Sequence, residues 1–432
     1  MTLGNALGNA LDDLAWRGLV QQVTAGDLKG LLGAPPVTVY SGFDPSGPSL
    51  HAGNLVPLML LAHLRRRGHQ VLPLVGGATG MIGDPSGKSS ERNLLDADRV
   101  RDNTDKITAQ IAGFFATDDG PPARIVNNLT WLGGVRLLDF LRDVGKHFAV
   151  GQMIQRDSVR ARLEEREEGI SYTEFSYMLL QAYDFYELNR RHGCRLQVGA
   201  SDQWGNIVSG VDLVRRLAGE TVFGLTSSLL TNSVGKKYGK SEKGAVFLDG
   251  KLTSPYEFYQ FWLNTADADV GRFLRWLTFR GAEEIAALEQ AAGAERRGQR
   301  ALAEDLTRRV HGESALAEIL RANEALFGGG ELRAVGGAVL EVALAAAPSI
   351  TVPRARFEGE GVLLVDLLVE VGACPSKSDA RRQVATGAVS VNGAPATKAI
   401  ETRLTVADLI DGRLVVLRRG KRNNFVVRVS EG

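Results

Sequence analysis

Two short segments nearly two hundred residues apart carry side chains suited to handling a polyphosphate: His51-Ala52-Gly53-Asn54 and Lys237-Tyr238-Gly239-Lys240-Ser241. The first follows a turn-forming run, Asp44-Pro45-Ser46-Gly47-Pro48-Ser49, in which Ser49 is placed to cap a helix. A helix start offers unsatisfied backbone N–H groups and the positive end of a dipole, and Gly53 lets a nucleotide approach the backbone. His51 can then donate to a phosphate oxygen as charge develops. The second segment is flanked by Lys236 and Lys243, in a glycine-interrupted stretch. Its lysines are point charges that stabilise a departing pyrophosphate more in the transition state than in the ground state. Taken alone, the two segments read more readily as a capped helix with an incidental histidine and a basic surface loop.

Two more constellations lie between them. The glycine-rich run from Gly76 to Lys88 continues to Arg92 and includes Asp84. It makes a poor packing element but a good binding loop, and its spacing does not match a Walker A loop. Lys88 and Arg92, four apart, read by themselves as a solvated basic pair. From Ser171 to Asn189 the pattern is helical, and Tyr177, Gln181 and Asp184 share one face among Leu179, Leu180 and Phe185. A phenol, an amide and a carboxylate in apolar surroundings must be satisfied by something. A zwitterionic amino acid with a polar tip would do so, its ammonium against Tyr177 and Gln181 and its hydroxyl against Asp184. The alternative is an exposed polar stripe.

These groups need a frame. Strand-like runs at Val37 to Gly42, Gln70 to Val75, Arg124 to Val126 and Arg195 to Val198 alternate with helical patterns near 54–67, 98–115, 136–145 and 173–189. The alternation predicts an α/β fold with a doubly wound parallel sheet. Ligands bind such sheets beyond the carboxyl ends of the strands, where Tyr40 to Ser46, Gly76 to Asp84 and Gly199 to Gln203 fall. Apolar spacing of three and four from Ser254 to Phe327 predicts helices, and the glycine, alanine and proline-rich stretch 328–361 reads as a linker region, partly structured at most. Beyond it two short helices and a strand entering the Asn392-Gly393 turn predict a small α+β module.

The length of 432 residues predicts two or three domains, and 44% hydrophobic with 23% charged residues excludes a disorder-dominated chain. The first twenty residues lack a basic region followed by an apolar run, and no uninterrupted apolar stretch is long enough to span a bilayer, so the reading is cytoplasmic. Cys194 and Cys374 fit neither a disulfide framework nor a zinc knuckle. The net charge of +1 hides an asymmetry: Cys374 to Arg428 holds eleven Lys or Arg against four Asp or Glu, +7 there and −6 elsewhere. Such a basic segment suits a nucleic-acid partner, or is simply a solvated surface.

Together the two opening segments resemble the HIGH and KMSKS signatures of class I aminoacyl-tRNA synthetases. Tyr40 to Pro45, the GGATGMIGDPSGK loop, YTEFSYMLLQAYDF from Tyr172 to Phe185, Gly199 to Asn206 and the KYGKS loop, in this order, resemble the bacterial tyrosyl-tRNA synthetases over nearly the whole length. The resemblance implies a Rossmann-type catalytic domain over 1–235, a signature loop and helical anticodon-side domain over 236–327, the linker, and an S4-like RNA-binding domain over 362–432. It implies that Tyr40 and Asp184 hydrogen-bond the substrate phenol, that Asp84, Tyr177 and Gln181 hold its ammonium, and that Gln197 and Gln203 orient it. Asp202 resembles the ribose-binding aspartate, and Gly42, Asp44, Gly53 and Ser241 belong with the nucleotide. Ser46, His51, Lys88, Arg92, Lys237 and Lys240 would stabilise the triphosphate. Asn54 stands where the signature has its second histidine, keeping an N–H donor but no titratable ring.

The implied activity is tyrosine–tRNA ligation, with ATP and Mg2+, tRNA(Tyr) and L-tyrosine as partners and a homodimer as the assembly. A tryptophan-specific enzyme is disfavoured by Tyr40 and Asp184, which provide for a hydroxyl. An RNA-binding protein on a degenerate scaffold is disfavoured by the intact His51, Lys237 and Lys240.

Overall fold

The computed structural model describes residues 8–86, 95–117, 120–156, 159–160, 163, 169–241, 244–290, 296–328, 332–345, 347–420 and 423–430. One compact unit takes Met1–Thr253 with Phe261–Leu306, and a second takes Ser254–Gln260 with Thr307–Gly432. No helix among the described residues is long and apolar enough to cross a membrane.

The first unit is built on six strands: β1 (Gln22–Val23), β2 (Thr38–Phe43), β3 (Gln70–Val75), β4 (Val126–Asn127), β5 (Cys194–Ala200) and β6 (Phe223–Ser227). They lie in the order β1-β6-β5-β2-β3-β4, with β1 antiparallel and the rest parallel. Parallel strands covered on both faces read as apolar runs, as the Val71 to Val75 part of β3 does. The chain leaves β2 toward β3 and β4, then returns to the other side through β5 and β6. That reversal between β2 and β5 opens a crevice at their carboxyl ends, and the register sets Tyr40 opposite Gln197. The four expected strands are present within a few residues. β1 and β6 were not expected: one is two residues long, and the Phe-Gly-Leu-Thr-Ser of β6 lacks the unbroken apolar run that its full burial would suggest.

Two helices position most of the site. Leu55–Arg66 is apolar nearly all round and buried along its length. Near its end the Arg65 guanidinium donates to the carbonyls of Pro121, Phe115, Thr117 and Gly120 at 2.6 to 3.2 Å, mooring the turn after the Ala97–Phe114 helix. Tyr172–His192 starts at Ser171, whose hydroxyl accepts the Glu174 N–H at 3.3 Å, and stops at Gly193 in the left-handed conformation. Arg190, Arg191 and His192 in its last turn complement the helix dipole.

The second unit centres on a sheet in the order Ala394–Pro395, Val389–Val391, Leu414–Arg419, Asn423–Ser430, Ser349–Pro353. The alternation of side chains divides it into two cores. Val415, Leu417 and Val427 face Leu364, Leu367, Leu368 and Val384, whereas Leu414, Val416 and Val426 pack with Leu326, Leu332, Leu340 and Leu344. The stretch 328–361 is therefore not a plain linker: its described residues supply the helix Gly337–Ala343 over one sheet face and the edge strand Ser349–Pro353.

Candidate active site

The carboxyl ends of β2, β3 and β5 open into a cavity of about 420 Å3. Tyr40, Gly42, Asp44, Ser46, His51, Gly53, Asn54, Asp84, Tyr177, Gln181, Asp184, Gln197, Asp202, Gln203 and Lys237 all line it. Its floor is polar and buried. Asp184 is 2% exposed; its Oδ1 accepts from the Trp131 indole N–H at 2.7 Å and its Oδ2 from the Asn128 amide at 3.0 Å. Burial pushes the Asp184 pKa up to about 8, the two hydrogen bonds opposing the shift and the charge of Asp44 adding to it. The Tyr40 ring is tilted against Phe185 at 5.2 Å. Among the described residues the buried Tyr40 hydroxyl and Gln197 Oε1 have no hydrogen-bond partner, an arrangement that costs stability until a ligand completes it.

A hydrogen-bonded chain leads away from this floor. The Asn128 amide also donates to Thr79 Oγ1 at 2.9 Å, the Thr79 hydroxyl donates to Asp44 Oδ1 at 2.7 Å, and the Tyr177 hydroxyl donates to Asp44 Oδ2 at 2.7 Å. Only glycine fits at position 76, since a Cβ there would lie 2.0 Å from Asp44 Oδ1. Burial first, then Asp184 beside Tyr40 and Asp44 beside Tyr177, raises both phenols well above their ordinary range. On another wall, Gln203 donates to Asp84 Oδ2 at 2.7 Å and accepts from the Gln181 amide at 3.1 Å. Tyr177 and Gln181 thus hydrogen-bond to Asp44 and Gln203, and Gln203 links Gln181 to Asp84; Tyr177, Gln181 and Asp84 all line the cavity. The Asp202 pKa is raised by burial, with Asp84 adding to the shift and Lys237 opposing it.

At the opposite end of the cavity, His51 caps the turn Ala52–Asn54 that feeds the Leu55–Arg66 helix. Its Nδ1 accepts the Gly53 N–H at 3.1 Å, and Asn54 Oδ1 accepts the His51 N–H at 3.0 Å. With Nδ1 an acceptor, the neutral imidazole carries its proton on Nε2, the tautomer that donates to a phosphate oxygen. Ser49 is not the cap expected from the sequence. Its hydroxyl is engaged by Leu50 O, Gln110 Oε1 and the Asp249 N–H, which moves the cap two residues on.

The lysine loop sits directly on this helix start. Its stem carries an antiparallel bridge between Thr231 and Lys237, and Lys240–Ser241 pairs with Gly244–Ala245. Val246 N–H donates to Gly239 O at 2.9 Å, and Ala52 N–H donates to Val246 O at 2.8 Å. One run of backbone therefore joins the two segments. Gly239 has φ 116°, and a Cβ there would come within 3.3 Å of Gly53 N. Lys237 is exposed at the cavity rim. For Lys240 and Ser241 the structure describes the backbone strand alone, and Lys88 and Arg92 lie outside the described residues.

The family model for class I tRNA synthetases (W and Y) matches residues 34–328. The chain belongs to this family. The model of a tyrosine–tRNA ligase SYY-like C-terminal domain matches residues 346–427 of this synthetase. Among curated relatives, the tyrosine–tRNA ligase of Roseiflexus castenholzii is 49% identical over 423 residues, 97% of this chain and 99% of that one. That of Mycobacterium sp. (strain KMS) is 51% identical over 423 residues, 96% and 98% of the two chains. Among solved structures, a C-terminally truncated mitochondrial tyrosyl-tRNA synthetase of Aspergillus nidulans matches with a TM-score of 0.67 at 31% identity, covering 74% of this chain and 94% of that one.

Four contributors to the synthetase cavity were missed in the sequence. Asn128 and Trp131 hold Asp184, Thr79 joins Asn128 to Asp44, and Asn206 donates to Gln181 Oε1 at 2.9 Å. Thr79 stood inside a loop already singled out, and Asn206 closed the Gly199 to Asn206 block, so both were within reach. Asn128 and Trp131 follow a two-residue strand that offers no periodicity.

Proposed function

We propose that the protein activates L-tyrosine with ATP and transfers it to the 3′ end of tRNA(Tyr). The observation that carries this reading is the cavity floor, where the buried Tyr40 hydroxyl and Gln197 Oε1 have no partner among the described residues and Asp184 is held by two donors. A ligand ending in a phenol meets Tyr40 and Asp184 together. Phenylalanine would leave both unmet; the rule that a site built for a hydroxyl rejects an analogue lacking it was itself framed on tyrosine enzymes. Gln197 and Gln203 orient the substrate, and Asp84, with Tyr177 and Gln181, receives its ammonium.

In the first step a carboxylate oxygen of tyrosine attacks the α-phosphorus of ATP as the bond to pyrophosphate breaks. No side chain acts as nucleophile; the protein aligns the reactants and neutralises charge on the leaving group. The His51 Nε2–H and the helix start meet the phosphates, with Ser46, Gly42, Gly53 and Asn54 around them. Asp44 flanks the adenylate and Asp202 takes the ribose. Lys88, Arg92, Lys237 and Lys240, with Ser241, hold the triphosphate and the departing pyrophosphate. Mg2+ enters as the companion of ATP, held by phosphate oxygens and water. In the second step a ribose hydroxyl of the terminal adenosine of tRNA attacks the tyrosyl carbonyl, and AMP leaves.

The basic C-terminal module over 362–432 is assigned to tRNA binding, where Arg382, Gln383, Arg419 and Asn423 line an open surface hollow. A truncation meant to remove it must fall near Asn323 and not near 350, because a later cut would strip Leu340 and Leu344 of their core. It should weaken tRNA charging and spare adenylate formation. A homodimer is supported by an apolar surface on the first unit, with Leu137 and Leu138 at 70% and 76% exposed and Val150 at 58%. A cytoplasmic setting, where tyrosine, ATP and tRNA are all available, fits this reading. The deciding experiment is ATP–pyrophosphate exchange with a panel of amino acids: tyrosine should support it and phenylalanine should not. No exchange with tyrosine in a folded, magnesium-containing preparation would sink the reading.

A further inference from the structure

The lysine loop needs something to set the height of its charges above the cavity, because Ser233 to Lys237 leading into it are exposed and Gly235 and Gly239 interrupt it. The helix Asp267–Leu277 touches both strands of the loop's stem within one turn. Arg272, paired with the buried Asp269 at 2.8 Å, donates to the Thr231 carbonyl at 2.6 Å on the first strand. The next residue, Phe273, meets the Tyr238 ring at a centroid distance of 4.9 Å on the second strand. Thr231 and Lys237 are bridged to each other, so these contacts fix the same rung from two sides.

Tyr238 is held more completely than a loop residue requires. Its ring also lies 4.9 Å from Phe261 and 5.8 Å from Trp262, and its hydroxyl is 3.2 Å from the hydroxyl of Thr265, itself fully buried. It stands between Lys237 and Gly239, so a shift of its ring moves the lysine beside it. The supporting helix is itself fixed. The carbonyl of Trp276 lies 3.4 Å from His63 Nε2 on the helix that begins beside His51. The Arg17 guanidinium donates to the carbonyls of Arg275 and Thr278 at 3.0 and 3.1 Å, closing the helix end.

We propose that Tyr238 and Arg272 are positioning residues for adenylate formation, clamping the loop stem to the helix Asp267–Leu277 so that Lys237 meets the leaving pyrophosphate. The clamp rests on the tyrosine-activation reading and adds to it the element that references the loop to the phosphate-binding helix. The ring sets position and the phenol hydroxyl refines it. Misplacing a catalytic charge by about 1 Å can cost on the order of 100-fold in rate without touching substrate affinity. Because the clamp acts through Lys237, its effect vanishes when that lysine is gone.

The test is a double-mutant cycle read by single-turnover adenylate formation, with equilibrium tyrosine binding measured alongside. Tyr238→Ala should slow the step by about 100-fold and leave tyrosine affinity unchanged. Tyr238→Phe, keeping the ring and losing one hydrogen bond, should recover all but about 3-fold. Arg272→Met, which keeps packing over Phe273 and Trp276 but not the donor to Thr231, should fall between them. In a Lys237→Ala background Tyr238→Ala should add less than about 3-fold. Equal losses in both backgrounds, or a parallel loss of tyrosine affinity, would overturn the proposal. If wild type fails to form adenylate, or Lys237→Ala alone leaves the rate unchanged, the underlying reading fails instead.

Discussion

The two ends of the cavity are built in opposite ways. At the end proposed for tyrosine, Asp184, Asn128, Thr79 and Gln197 are each at most 2% exposed, and hydrogen bonds through Asn128 and Thr79 run without a break from Asp184 to Asp44, with Trp131 donating to Asp184 from the side. At the end proposed for phosphate, Lys236 and Lys237 are exposed and their segment is held by backbone rungs, the Tyr238 ring and the Arg272 donor to Thr231. The difference follows from what each end must do. Selecting a phenol requires donors and acceptors whose desolvation has already been met, so that a missing hydroxyl is felt in full. Stabilising a leaving pyrophosphate requires charges that gain most at the transition state, and these can sit at the rim.

The largest effect expected from this contrast is at the rim. Lys237→Ala should lower the rate of adenylate formation by about 100- to 1000-fold with tyrosine affinity intact, measured by exchange kinetics and equilibrium binding. A matching loss of tyrosine affinity would erase the distinction between the two ends. Next is the charge state of the floor. The folded pKa of Asp184, about 8, lies above its ordinary value of 3.8, so the folded chain holds a proton there that the unfolded chain releases. Stability is greatest below pH 4 on this account and falls by about 1.4 kcal/mol per unit as pH rises toward 8. Relative to Asp184→Asn, the substrate-free wild type should lose stability steadily between pH 5 and 7 in urea titrations, on the order of 1 kcal/mol per pH unit. A flat difference would mean that the carboxylate is ionised in the folded state.

Removal of the amide that links the floor to Asp44 should be smaller. Asn128→Ala deprives Asp184 and Thr79 of a donor and leaves the Ala78 N–H, now bonded at 2.8 Å, without its acceptor. A loss of about 2 kcal/mol in stability and a raised KM for tyrosine are expected, with KM for ATP unchanged. Smaller still, Tyr40→Phe should lower selectivity for tyrosine over phenylalanine by about tenfold, read as the ratio of kcat/KM values. Unchanged selectivity would place the phenol of the substrate elsewhere.

How much of this was legible depended on whether a residue's partners lie along its own element. The face of Tyr177, Gln181 and Asp184 was readable because a helical period brings them together, and the cavity contains all three. The alternation of strands and helices likewise pointed to the parallel sheet and to the crevice at its carboxyl ends. The donors to Asp184 were not readable, because Asn128 and Trp131 reach it only through the pairing of β3 with β4. Ser49 looked like a cap because nothing in the local sequence announces that Asp249 will claim its hydroxyl. Residues 328–361 looked like a linker because the sheet face that Leu340 covers is made by strands that come later in the chain.

The reciprocal bonds between His51 and Asn54 bear on how sequence drift at this signature should be judged. The fourth position accepts a backbone N–H at the mouth of a helix, and the imidazole proposed to meet phosphate is held at the first. Any side chain with an acceptor at that reach can occupy the fourth position, whereas an aliphatic one leaves the His51 N–H without its acceptor and loosens the ring that depends on the same turn. Counting histidines is therefore a poor gauge of whether a relative of this chain has decayed; counting acceptors at that position is a better one.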